Sequence, residues 1–137
     1  MSINLKKFQN MTNLTTPFMG STRGEVKHPG IDLAAPSGTL IPAFADGTIT
    51  SARPSSNGMG NVVTLRDEGG NNHQYGHLQG ALVRPGMRVR KGQPIAKMGK
   101  SGNSYSPSGS DPSHLDIRIV SAYGRFKNPL TYLNSFK

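Results

Sequence analysis

Glycine and proline cut this chain into short pieces. The 137 residues include 17 glycines and 10 prolines, and turn signals recur at close intervals from residue 29 onward. Long helices cannot be built across such punctuation, since glycine carries excess chain entropy and proline lacks an N–H and clashes with the preceding turn. Short strands joined by tight turns can. The expectation is therefore an all-β chain: a small antiparallel sheet domain with little helix. At this length one hydrophobic core is affordable and two are not.

The pieces between the turns support this. "GIDLAAP" carries a short strand, "LIPAFA" an apolar one, and "TITSARP" alternates polar and apolar with the period of two of a half-buried strand. "NVVTLRD" and "NHQYGHL" read as strands flanking the turn "EGGN". "VRPGMRVRKGQPIAKMG" reads strand, turn, strand and is expected to form a hairpin at the domain's edge, with Pro85-Gly86 and Lys91-Gly92 as turns. "HLDIRIV" is a strand, and one helical turn is expected after Pro129. "KSGNSYSPSGSDPS", residues 100–113, is a loop of the length that often carries function. Residues 1–24 read as an N-terminal arm, suited to docking a partner, with a short helix over 4–11; residues 25–137 form the β domain.

Charge and composition narrow the function classes. The formal net charge is +9, which suits a polyanion such as nucleic acid, an anionic lipid face or an acidic wall polymer. The basic residues are scattered and lack interleaved stacking aromatics, so nucleic-acid binding is disfavoured. Cysteine is absent, which excludes disulfides, thiolate metal sites and cysteine nucleophiles. No apolar run approaches the ~20 residues of a membrane span. The opening "MSINLKKFQNMTNLTTPFMG" has no apolar core after its lysines and is not read as a secretory signal. A substrate outside the cytoplasm would then require delivery by other means.

Chemistry can reside in the four histidines, His28, His73, His77 and His114. "HPGID" places His28 and Asp32 four apart, with Gly30 allowing a turn between them, although this spacing alone is common. In "HLDIRIV", Leu115, Ile117 and Ile119 share one strand face while His114, Asp116 and Arg118 share the other. Imidazole nitrogen and carboxylate oxygen are both competent zinc ligands, and an ordinary amphipathic strand would show the same pattern. "HQYGHL" puts His73, Tyr75 and His77 on one strand face by the same parity. His73 is a poor substitute ligand, lying about 13 Å along an extended strand from His77.

Taken in order, "HPGIDLAAPSGT", "YGHL", "VRPGMRVRKGQPIAKMGKSGNS" and "SHLDIRI" resemble the lysostaphin/LytM-type zinc endopeptidases, which cut peptides of bacterial peptidoglycan. The resemblance runs from about His28 to Val120. It implies a lysostaphin-like sheet with a substrate groove across it. It also implies one zinc ion held by His28, Asp32 and the residue at position 116, with His114 activating water and His77 near the reacting carbonyl. The family reads His-x-His where this chain reads His114-Leu115-Asp116, and its loop before that strand is shorter. A ligand set of two carboxylates and one imidazole is one unit more negative than the family's, so bound water should be less acidic than the ~7 seen with neutral ligands. Without a metal, Asp32 and Asp116 could instead pair with Arg118, Lys27 or another basic residue, and the groove would be a binding surface.

Two functions follow from the resemblance. One is a peptidoglycan endopeptidase, phage-encoded or carried by a partner machine to the periplasm or cell wall. The other is a catalytically degenerate LytM-like domain, a structural or wall-binding module in a phage tail or similar assembly. Partners would be peptidoglycan peptide and, through residues 1–24, virion or baseplate proteins; membrane association is not expected.

Overall fold

The computed structural model of the chain describes residues 2–16, 18, 29–55, 58–102 and 113–131. His28, Lys27 and residues 103–112 of the long loop lie outside the described residues. One helix, α1 (Leu5–Met11), precedes a series of short strands. These are β1 (Asn13–Thr16), β2 (Ile31–Ala34), β3 (Leu40–Pro42), β4 (Gly47–Pro54), β5 (Asn61–Asp67), β6 (Asn72–Ala81), β7 (Arg88–Val89), β8 (Pro94–Met98), β9 (His114–Val120) and β10 (Phe126–Lys127). A helical turn covers 129–131 and begins at the proline that signalled it. The all-β expectation holds. No described helix is long and apolar enough to cross a membrane.

The main sheet is antiparallel, in the order β1-β2-β9-β6-β5-β4-β7, with β10 beside β9 and β8 bridging β3 and β6. The expected hairpin of residues 83–99 does not form. β7 pairs with β4, whereas β8 pairs with β3 and β6. The reason lies in the Lys91-Gly92 turn. Gly92 takes φ +89° and its N–H donates to Ala43 O, while Lys91 N–H donates to Asp46 Oδ1. The turn is thus tied to the β3–β4 connection and sends the chain across the domain.

The core is one cluster in which Ile31, Leu33, Tyr75, Leu115, Ile117 and Ile119 are almost wholly buried. The stripe 115/117/119 faces inward as its alternation requires. Phe44 meets Tyr75 edge-on at 5.2 Å between ring centroids, and Phe44 N–H donates to the Tyr75 hydroxyl oxygen at 2.9 Å. Burying Tyr75 is tolerable because its polar end is used.

The N-terminal segment belongs in part to this core. Asn4 caps α1 by accepting from Lys7 N–H, and Leu5 and Phe8, one turn apart, are buried. Ile3 N–H donates to Gly92 O, and β1 adds an edge strand to β2. The short helix was legible; β1, in the mostly polar "NLTT", was not.

His73 is a core residue and not a ligand candidate. It is fully buried, and its Nε2–H donates to Asp67 Oδ2 at 2.9 Å. Asp67 Oδ1 in turn accepts from Gly69 and Asn71 N–H, closing the β5–β6 turn around "EGGN". Burial lowers the His73 pKa despite its carboxylate partner. Burial alone would raise Asp67, but the bonds from His73, Asn71 and Gly69 leave it below its ordinary value.

Candidate metal centre

The register of β2 against β9 sets the centre. Asp32 lies directly opposite Asp116, with Ile31 opposite Ile117 and Leu33 opposite Leu115. The apolar pairs point into the core, so the two carboxylates share the other face. Ser113 Oγ–H donates to Ala35 O and fixes one end of this pairing. At the other end Gly30 stands against β9. A Cβ on Gly30 would lie 2.1 Å from Ile117 O and 2.8 Å from Arg118 Cγ. Gly30 does not take a positive φ. It lies in the bend that leads into β2, where the chain was expected to turn, and it also permits close approach between the strands.

On the other side of β9, Gly76 of β6 is opposite Asp116. Here the chain bulges: two residues, Gly76 and His77, face the single Val62 between the pairs Tyr75–Val63 and Leu78–Asn61. His77 takes φ +61°, a conformation that costs a non-glycine residue about 1 kcal/mol or more. The bulge corrects the simple parity. His73 and Tyr75 point into the core, while His77 is turned to the carboxylate face, its Nε2 3.8 Å from Asp116 Oδ2. Met59 lies over Gly76, and its carbonyl accepts from His77 N–H.

The second imidazole comes from His114, whose Nε2 is 3.9 Å from Asp32 Oδ1. The His77 and His114 rings are 4.4 Å apart between centroids. Asp32, Asp116 and His77 are buried, and His114 is partly exposed. Four of the five expected site residues thus converge. His28 lies outside the described residues.

His77 has a defined tautomer. Its Nδ1 is 2.7 Å from Ser101 O, and a carbonyl can only accept, so the proton sits on Nδ1. Ser101 is itself held: its Oγ–H donates to Leu78 O and accepts from Asn61 N–H. Burial lowers the His77 pKa, and the nearby His114 and Arg118 charges push the same way against the Ser101 bond and Asp116. The neutral ring therefore presents a lone pair at Nε2 to the carboxylate face. The supporting residue Ser101 was not anticipated; beside it the chain packs closely, since a Cβ on Gly102 would strike Gly60 N at 2.4 Å.

Asp116 also has a partner on its own strand. Arg118 Nε–H donates to Oδ1 at 3.1 Å and Nη2–H to Oδ2 at 2.9 Å. Among the described residues no three His, Cys, Asp or Glu side chains are grouped so as to hold an ion. The donor chemistry still fits one. Asp32 and Asp116 bring two buried carboxylates to one face of paired strands, both competent ligands for a divalent cation, and the third expected ligand is the histidine four residues before Asp32.

Comparisons with known proteins bear on the family and the fold. A profile of peptidase family M23 matches residues 26–129. The chain is 35% identical over 130 residues to an uncharacterized metalloprotease of Haemophilus influenzae, covering 90% of this chain and 26% of that protein. It is 41% identical over 111 residues to the murein hydrolase activator EnvC of Escherichia coli, covering 81% and 25%. It therefore spans about a quarter of the length of these curated relatives. Among solved structures, the catalytic domain of the antimicrobial peptidase lysostaphin from Staphylococcus simulans superposes with a TM-score of 0.82 at 25% identity, covering 98% of this chain and 99% of that one. These comparisons support neither the expected phage origin nor virion partners. On the extent of the profile match and the likeness to these relatives, this chain belongs to peptidase family M23.

Proposed function

We propose that the chain is a cell-wall peptidoglycan endopeptidase that hydrolyses peptide bonds on the face formed by β2, β9 and β6. The observation that carries this reading is the pairing of Asp32 with Asp116 beneath two imidazoles, at 3.8 and 3.9 Å. The substrate is the peptide portion of peptidoglycan and the site of action the cell wall. Zinc, where bound by His28, Asp32 and Asp116, supplies Lewis acidity toward water and the scissile carbonyl.

The chain's own residues supply the rest. His114, the more exposed imidazole, takes the proton from the attacking water as general base. His77 faces the reacting carbonyl. Its Nδ1–H is committed to Ser101, so donation to an oxyanion requires its imidazolium form, and the neutral ring acts as a proton acceptor at Nε2. The +9 charge favours residence on an anionic wall. Met11 and Leu14 are exposed on the N-terminal segment and are the side chains through which residues 1–24 would dock a partner.

The expected result is release of new amino termini from purified peptidoglycan, abolished by a chelator and restored by zinc. His114→Ala should lower this rate by about 100-fold or more. Hydrolysis indifferent to both treatments would contradict the reading.

The Arg118–Asp116 ion pair favours a second reading, a wall-binding module without hydrolysis, and the likeness to a murein hydrolase activator supports it. In that case the chain binds peptidoglycan peptide and cleaves none with zinc present.

A further inference from the structure

Both oxygens of Asp116 are held by one guanidinium, in the side-on geometry that makes Arg–carboxylate pairs strong. The pair is not a surface decoration: the two side chains are 13% and 3% exposed. Space is provided for it. The stem of Arg118 passes so close to Gly30 that any side chain there would meet its Cγ. Strand parity also requires Arg118 to stand on the carboxylate face, two residues after Asp116.

Charge gives the pair a meaning. The expected ligands, Asp32, Asp116 and neutral His28, carry two negative charges. Arg118 returns one positive charge, leaving the net charge of a site with two imidazoles and one carboxylate. We infer that Arg118 is the resident counter-cation of Asp116 and competes with a divalent metal for it. The Asp116–Arg118 pair, and not Asp116 alone, then occupies the third ligand position and sets the chain's zinc affinity. A carboxylate has lone pairs enough to meet both partners, so the metal is not excluded. It must approach a fixed positive charge, and that repulsion weakens its binding. This inference rests on the reading of position 116 as a metal ligand, and the experiment separates the two.

The full chain, stripped of metal, is titrated with zinc against a chromogenic chelator. Arg118→Met keeps the stem beside Gly30 and removes the charge; its zinc Kd should fall by about tenfold or more. Arg118→Lys keeps the charge and loses the fork; its Kd should stay within about threefold of the parent. Arg118→Gln is the second neutral replacement should Arg118→Met fail to fold. Neutral variants that bind zinc no tighter than the parent overturn the inference, as does an equal gain in Arg118→Lys. Asp116→His is the control for the position. Tighter zinc there, without a gain in the neutral Arg118 variants, overturns the role of Arg118 and keeps the ligand assignment. No zinc binding in any variant overturns both.

Discussion

Gly30→Ala is expected to destabilise the fold by about 3 kcal/mol and to disperse the site with it. The new methyl would stand 2.1 Å from Ile117 O and 2.8 Å from Arg118 Cγ. The side-chain carbon could yield; the carbonyl could not. Ile117 is paired on one side with Ile31 and on the other with Tyr75, so β9 is held at the centre of the sheet. β2 would have to withdraw, and with it Asp32 would leave Asp116. Gly80→Ala is the control, since nothing lies within 4 Å of its added Cβ and Gly80 does not take a positive φ; its effect should be within about 0.5 kcal/mol. Urea unfolding of the two variants checks this. Equal midpoints would show that the close approach of β2 to β9 does not set the register.

Asp116→His with Arg118→Met should raise peptidoglycan hydrolysis by about 100-fold over the parent, and Asp116→His alone by less. The single change supplies the imidazole that the motif resemblance implies for this position and removes a negative charge, so water on a metal held there would be more acidic. It also strips Arg118 of the carboxylate that neutralises it, leaving a mostly buried guanidinium beside the ligands. The two positions therefore couple, and their effects should not add. Rates of muropeptide release from the four proteins of the double-mutant cycle measure the coupling. A double variant no faster than the parent would argue that position 116 does not face the reacting atoms.

Much of the fold is legible because it rests on local pattern. The faces of β9 follow from alternation alone, and the turn "EGGN" and the helix over 4–11 follow from their residue types. The elements that resisted reading depend on what lies across space. β1 is three polar residues and Leu14, and its strand character comes from pairing with β2. Residues 83–99 carry the marks of a hairpin, but Gly92 and Asp46 tie their turn to another connection. The parity of β6 fails at one bulge, and that bulge is what separates His77 from the core residues His73 and Tyr75.

The candidate site was legible in its residues more than in its contacts. Asp32, His77, His114 and Asp116 converge as the motif resemblance implied. Ser101 could not be found, because it serves through a backbone carbonyl. The sequence placed Arg118 on the face of Asp116, but only as one of several cations able to pair with the carboxylates. Its choice of Asp116 follows from strand parity and from the room left by Gly30.

Diffraction from zinc-soaked crystals, recorded at the zinc absorption edge, tests the central claim most directly. One anomalous peak is expected at about 2.0–2.2 Å from carboxylate oxygens of both Asp32 and Asp116 and from a ring nitrogen of His28. A peak elsewhere, or zinc bound while Asp116 stays apart from it, would contradict the shared centre on which the proposed hydrolysis depends.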